Sequence, residues 1–425
     1  MRTAAATSDV RRARILVIGA SALAFVAKAV FAALTRGPAD VRYFEGFAAA
    51  LSQVGPVRIY EHPMPGLPVY NHPPLASWIL SGFHELAELG IPFASLIRAP
   101  ACAADFVSAI LVFEILRRRR SLRTATVCAL LCAFNPVLFT TSAYHGNTDS
   151  AAVVLVVLAA YLLTDRRAPL AAGVAAALAV SIKLVPVVAV PALLVVAVRA
   201  GRPAAVRFCS GLAAVLLTLW GPVLAAVPGP LREKVLEYEG GRGRLWGLVR
   251  FADLAGASDS FVADLQGDFH FLFVLLCMAA GAWLAWLRPT APAGAVALCL
   301  ALLLLLSTGS AVQYLAWPVV ALCLLGVREA IGYGVVVGAV TVIVYSGPSA
   351  VRWNDWTLHL AEAGWLLLAA AAVTGVRRAL EDPPGPAPGV PLPFVAQRTG
   401  KPAAPARPST DRTDDPHRRR VEKTQ

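Results

Sequence analysis

Several stretches of the chain carry side chains whose types and spacing can do chemistry. Residues 37–74 hold Asp40 and, five positions on, Glu45. A carboxylate placed here suits a general base acting on a hydroxyl, or a metal ligand. The alternative is a plain N-cap for a helix read over 41–51. Asn71 and His72 stand before Pro73-Pro74, which stiffen a turn into the following helix. An amide and an imidazole at a helix start make a phosphate site, or only a proline-capped turn. The stretch FNPVLFTTSAYHGNTDSAAVV brings Tyr144, His145, Asn147 and Asp149 into one short turn. Gly-Asn-Thr-Asp is ordinary turn chemistry, yet Asp149 at the mouth of a helix is both cap and ligand candidate. In YEGGRGRLWGLVRF, Arg242, Arg244 and Arg250 alternate with Tyr238, Trp246 and Phe251, a pattern suited to a membrane interface and its phosphates. STGSAVQYLAWP places Gln313 and Tyr314 at another turn.

What must position these groups follows from composition. Of 425 residues, 57% are hydrophobic and 15% charged. A soluble domain carries about 25% charged residues, so an ordinary soluble enzyme is excluded, and the chain is too apolar to be largely disordered. Long apolar runs recur, as bilayer-crossing helices require. None alternates as a transmembrane strand would. Twelve spans are expected, over 15–34, 95–116, 124–142, 150–163, 169–182, 185–198, 208–227, 269–287, 293–306, 314–325, 331–345 and 358–376. Residues 75–89 read as a short span or an interfacial helix. The expected fold is therefore an all-α integral membrane bundle of about 12 helices with outer-face interfacial helices.

Orientation follows from charge. The net charge is +12, but the basic residues are clustered at span ends, as in cytoplasmic loops, and do not point to nucleic acid. Arg11, Arg12 and Arg14, Arg117–Arg120, Arg166-Arg167, Arg199, Arg202, Arg207, Arg288, Arg328 and Arg377-Arg378 all fall on one side if the spans alternate. Both termini are then cytoplasmic, and the first helix reads as an uncleaved span. The polar segments 35–94 and 228–268 fall outside. Residues 1–380 form one transmembrane domain. Residues 381–425, with ten of the 31 prolines, read as a disordered, basic cytoplasmic tail. The seven cysteines form no CxxC pair and read as small core residues. Lys28, Asp105, Glu114 and Lys183 lie within or at the ends of spans, where an ionisable group is a functional candidate by default. Lys28 is expected to snorkel, Glu114 to reach the cytoplasmic arginines, and Asp105 and Lys183 either to pair as a buried structural link or to serve a charged headgroup.

In order along the chain, these marks resemble the C-type (GT-C) membrane glycosyltransferases. They are the acid after the first span (Asp40), HPPL (His72–Leu75), the helix with Arg98 and Asp105, NP…GNTD (Asn135, Pro136, Asp149), KLVPVVAVP (Lys183), YEGGRGRLWGL and QYLAWP. The likeness covers about 15–376. HPPL is similar to the motif of the protein O-mannosyltransferases, and QYLAWP to the GPI and actinobacterial mannosyltransferase branches.

The resemblance implies a polyprenyl-phosphate sugar as donor, an acceptor hydroxyl and inversion at the anomeric carbon. It implies Asp40 as catalytic base. For the leaving phosphate the candidates by position are His72, Lys183 and the arginines of 242–250, among them Arg242 and Arg244; Glu45, Asn71, Tyr144, His145, Asp149 and Gln313 are further substrate- or phosphate-binding candidates. No residue is assigned to a metal, and a need for a divalent ion is left open. The family's close pair of acids is here reduced to Asp40 with Glu45 and later Glu61, while Asp149 offers a second acid. The expectation is a mannose-transferring enzyme of a bacterial plasma membrane, acting on an envelope glycolipid or glycan at the outer face. The rival reading is a secondary transporter or lipid flippase.

Overall fold

The computed structural model describes residues 2–238, 240–346 and 353–381, with side chains from residue 7 onward. Among the described residues the fold is all-helical. In chain order it has α1 (Arg2–Leu34), α2 (Ala39–Arg58), α3 (Pro74–Glu88), α4 (Phe93–Leu116), α5 (Leu122–Ala133), α6 (Pro136–Leu138), α7 (Asp149–Thr164), α8 (Pro169–Ile182) and α9 (Val190–Arg199). Then follow α10 (Arg202–Ala226), α11 (Pro228–Leu231), α12 (Gly247–Leu254), α13 (Asp259–Gln266), α14 (His270–Leu287), α15 (Pro292–Leu305), α16 (Val319–Leu325), α17 (Val327–Tyr345) and α18 (Asp355–Glu381). The tail read as disordered lies, from residue 382, outside the described residues.

Among the described residues seven helices are long and apolar enough to cross a membrane: Thr7–Leu34, Phe93–Leu116, Leu122–His145, Arg202–Ala226, His270–Leu287, Val327–Tyr345 and Asp355–Glu381. Five further apolar helices have 10–17 residues: Asp149–Thr164, Pro169–Ile182, Val185–Arg199, Pro292–Leu305 and Val312–Leu325. The twelve runs read from the sequence fall on these twelve helices. The five short ones rise ~1.5 Å per residue and so fall short of a ~30 Å hydrocarbon core on their own. Their ends are where the polar turns enter the bundle.

Local sequence explains the breaks. Proline opens α3, α8 and α15 at the first helical position, where its missing N–H costs nothing. Asn135 caps α6 by accepting from the Val137 amide at 3.0 Å, and Pro136 ends the preceding helix. The span then finishes as a π-helical turn, Phe139–His145, closed by Gly146 at φ +78°. Helices α8 and α10 cross tightly. A Cβ on Gly173 would strike the Phe208 carbonyl, and one on Gly211 the Leu170 carbonyl. Small residues that let backbones meet are the usual basis of helix contact in a bilayer.

Two cores result. The larger runs through the bundle and includes Val112, Phe113, Val156, Leu193, Phe208, Leu300 and Val337. The smaller joins α2, the 59–70 loop and α3 to the ends of α8 and α10, through Phe44, Phe47, Leu51, Tyr60, Tyr70, Leu80 and Trp220. This second core holds the first polar segment against the bundle. Residues 75–89 fall on α3, which buries Ala76, Ser77 and Leu80 and exposes Trp78 and Leu86.

The ionisable residues in the spans sort differently from the sequence reading. Lys28 does not snorkel. It is 1% exposed and donates to Asp105 Oδ2 at 2.6 Å, both side chains being sealed inside. A lysine this far from a helix end finds a carboxylate closer than water. Asp105 therefore pairs with Lys28 and not with Lys183. Glu114 reaches Arg14 at 2.8 Å and also pairs with Arg117, as expected. On the same side, Asp165 takes Arg119 at 3.0 and 2.9 Å, and Glu329 takes Arg378.

Candidate functional site

The sequence-distant turns converge on Asp40. The turn that carries it, residues 35–38, is set by Gly37 at φ +73°, in the left-handed region that favours glycine. A Cβ there would also strike the Arg98 guanidinium and the Tyr144 carbonyl. The N-cap of α2 is Pro38, not Asp40, and no side chain caps it. Asp40 is instead in the first turn, where the helix dipole favours a carboxylate, and its side chain is free to reach across. It meets His145 Nε2 at 3.1 Å. His145 is buried at the end of the π turn, and its Nδ1 lies 2.9 Å from the Tyr345 hydroxyl at the end of α17.

A second acid-base pair adjoins the first. Asp149 begins α7 and Lys183 follows the last residue of α8, so each charge again sits at the helix end whose dipole favours it. Lys183 Nζ is 3.7 Å from Asp149 Oδ1, with exposures of 16% and 1%. Asp149 Oδ2 accepts from Trp317 Nε1 at 2.8 Å and Asn147 Nδ2 at 2.9 Å. Asn147 Oδ1 in turn accepts from the Asp149 amide at 3.1 Å, and the N-cap position of α7 is Thr148, not Asp149. Asn147 Nδ2 also lies 3.4 Å from the Gln313 carbonyl. Gln313 thus enters through its backbone, and Trp317 stacks on Tyr314 with ring centroids 4.3 Å apart.

Burial pushes the Asp40 carboxyl upward in pKa. The hydrogen bond and charge of His145, with the charge of Lys183, outweigh that and hold it below the usual carboxylate range. With 39% of its side chain exposed, Asp40 is both ionised and reachable. His72 has the opposite setting. It is 6% exposed among Phe44, Phe47 and Tyr70, with centroids 5.1, 6.0 and 5.3 Å away. Burial, reinforced by Lys183, drives its pKa well below the ordinary histidine value. It is a neutral imidazole, and its Nδ1 has no hydrogen-bond partner. Asn71 lies beside Tyr238, which also faces Asp40.

Of the other positions read from the sequence, Arg244, Arg250 and Glu45 have their contacts elsewhere, and Tyr144 packs on the cluster's edge. Arg244 is committed to Asp253 at 2.8 Å and Asp259 at 2.5 Å, and Arg250 to Glu362 at 2.8 Å. The basic-aromatic stretch is a docking loop more than an interfacial helix. Ser310 binds the Gly241 and Gly243 carbonyls at 3.1 and 2.7 Å, and buried Trp246 donates to the Leu304 carbonyl at 3.1 Å. Arg242 belongs to this loop. Glu45 is exposed on α2. Tyr144 packs between Phe31 and Tyr345. Tyr345 and Trp317 were not picked out by sequence reasoning. Each is an aromatic near a span end, where aromatic residues are common for reasons of interface alone.

Arg98, buried in α4, links the Gly37 and Gly146 turns. Its Nη1 donates to the carbonyls of Ala32 at 2.6 Å and Thr35 at 2.8 Å, capping the end of α1. Its stem fills the space beside Gly146. Among the described residues no three of His, Cys, Asp and Glu gather as a metal site would.

A cluster of this kind can ionise a carboxylate, hold an anion beside Lys183 and leave Asp40 open to an incoming hydroxyl. A family model described as dolichyl-phosphate-mannose-protein mannosyltransferase matches residues 71–225. That stretch holds His72, Arg98, His145, Asp149 and Lys183, while Asp40 precedes it and Tyr345 follows it. No curated protein matches the chain significantly. The crystal structure of ArnT from Cupriavidus metallidurans bound to undecaprenyl phosphate is 14% identical. The match has a TM-score of 0.49 and covers 86% of this chain and 76% of that one. The family match thus lies over residues 71–225 of a fold in which, among the described residues, seven helices are long and apolar enough to cross a membrane.

Proposed function

We propose that the protein transfers a sugar, mannose, from a polyprenyl-phosphate donor to a hydroxyl of an envelope glycolipid or glycan. The observation that carries this reading is the ionised, open Asp40 held by His145, with Lys183 close enough to act on both. The family description, which names a polyprenyl-type phosphate and mannose, supports the donor class.

In the reaction, Asp40 accepts the proton of the acceptor hydroxyl as its oxygen attacks the anomeric carbon. The bond from that carbon to the phosphate oxygen breaks, its electron pair leaves with the polyprenyl phosphate, and the configuration inverts. Lys183 stabilises the phosphate as its charge grows. Asp149, fixed by Trp317 and Asn147, holds the ammonium in place. His145 keeps Asp40 turned inward, and Tyr345 fixes the imidazole. Asn71 and Tyr238 border the same opening.

The positive-inside rule puts this face outside and the arginine-rich ends inside. The Ala- and Arg-rich composition suits a bacterial plasma membrane. A transporter or flippase would keep polar groups along a central path. The charged pair found deep in the bundle, Lys28 with Asp105, is instead closed on itself.

The test is transfer in membranes enriched in the protein, with labelled polyprenyl-phosphate mannose, glucose or arabinose, each with and without a chelator. A labelled glycolipid or glycan made from the mannose donor supports the reading. A product from another sugar alone replaces mannose and keeps the class. No product from any donor rejects transferase activity and favours the transporter.

A further inference from the structure

Tyr314 stands beside the site and has no part in the chemistry above. Its ring lies nearly flat on Trp317, with centroids 4.3 Å apart and planes 28° from parallel. Trp317 is buried and donates to Asp149 at 2.8 Å, and the Gln313 carbonyl lies 3.4 Å from Asn147 Nδ2. The ring is thus fixed next to the carboxylate that pairs with Lys183. Tyr314 itself is only half-buried. Among the described residues its hydroxyl makes no hydrogen bond, whereas the buried hydroxyls of Tyr60, Tyr70, Tyr333 and Tyr345 all do. A residue bordering that hydroxyl has no side chain: a Cβ on Gly240 would come within 3.9 Å of it. Asp40, Asp149 and Tyr238 face the same tyrosine.

Packing on Trp317 accounts for an aromatic ring but not for a hydroxyl, since phenylalanine would pack as well. A donor held by its phosphate at Lys183 must lay its sugar ring beyond that phosphate. A sugar ring has a face of C–H bonds rimmed by hydroxyls. The negative face of an aromatic ring attracts the first, and a phenol both donates to and accepts from the second. We propose that Tyr314 is a sugar-binding residue of the donor site. The part of its ring turned away from Trp317 lies against the donor's sugar, and its hydroxyl bonds a sugar hydroxyl, while the phosphate stays with Lys183. This inference deepens the proposed function and rests on it for the identity of the donor.

Tyr314→Phe and Tyr314→Leu separate hydroxyl from ring. Each is compared with wild type for kcat and donor KM in transfer from polyprenyl-phosphate mannose. Each is also compared for thermal stabilisation in detergent by that donor and by polyprenyl phosphate without sugar, which reads binding without any turnover. Tyr314→Phe should raise donor KM about fivefold, as loss of one hydrogen bond does. Tyr314→Leu should raise it about tenfold or more, since the ring contact goes too. In both, kcat should be unchanged, and stabilisation by the sugar-free lipid should stay at the wild-type level. A wild-type donor KM in either folded variant overturns the proposal. So does an equal loss of binding for both lipids, which would put Tyr314 at the phosphate or the polyprenyl chain. If Tyr314→Leu does not fold, Tyr314→Phe decides by the same readings. A wild-type protein that transfers no sugar rejects the proposed function, and stabilisation by the two lipids then decides the sugar site alone.

Discussion

Asp40 Oδ2 lies 3.1 Å from His145 Nε2, between turns more than a hundred residues apart in the chain. The contact orders the rest of the site. His145 Nε2 faces the carboxylate, and on the other side of the ring Nδ1 lies 2.9 Å from the Tyr345 hydroxyl. The result is a line of three groups, Tyr345 to His145 to Asp40, that ends on the one member open to an acceptor.

The first prediction concerns pH. Asp40 must be ionised to act, and His145 and Lys183 hold its carboxyl below the usual range. Tyr238, Tyr314 and Tyr345 also face it. The acid limb of kcat/KM should therefore fall below the ~4 of a free carboxylate. Because the folded-state value is depressed, the stability it contributes is present above the unfolded value and is lost as pH falls through the folded one. His145→Leu removes the hydrogen bond and charge that oppose burial, so its limb should move to higher pH. A limb that stays in place would mean that another group sets it.

The second concerns Tyr345. Tyr345→Phe keeps the ring against Tyr144 and His145 and removes only the hydroxyl. Loss of one orienting hydrogen bond, about 1 kcal/mol, should lower kcat roughly fivefold by transition-state arithmetic and leave KM unchanged. Steady-state kinetics of the purified variant checks it.

The third concerns Arg98. Its guanidinium caps α1 and its stem separates the Gly37 and Gly146 turns. Arg98→Ala should cost about 3 kcal/mol of stability through a cavity and unmet carbonyls. Arg98→Lys should recover part of this, since lysine cannot reproduce the planar fork. Denaturant unfolding in detergent measures both.

Much of this was legible in the sequence, and the losses have physical causes. The spans were readable because a bilayer demands long apolar runs. Pro73-Pro74 and Asn135-Pro136 were readable because proline fixes its own backbone. Asp40, His145, Asp149 and Lys183 stood out as ionisable groups at span ends, but their pairings did not. Lys28 was expected to snorkel because local sequence does not reveal a carboxylate on another helix. Asp40 looked like a helix cap because a cap and a first-turn acid share one composition. Tyr345 and Trp317 were lost among interfacial aromatics, since only the packed bundle distinguishes a hydrogen-bonding aromatic from an anchoring one. The arginines of 242–250 suggested phosphates because the carboxylates that occupy Arg244 and Arg250 lie several residues away or on α18.

The central claim is that Asp40 takes the acceptor's proton. The most direct measurement is sugar transfer from labelled polyprenyl-phosphate mannose by wild type and by Asp40→Asn, matched for amount and thermal stability. Asparagine keeps the size and a contact to His145 but cannot accept the proton. Transfer should fall by about 10²–10⁴-fold, the usual worth of a positioned base. Transfer by Asp40→Asn at the wild-type rate would contradict the account and remove Asp40 from the reaction.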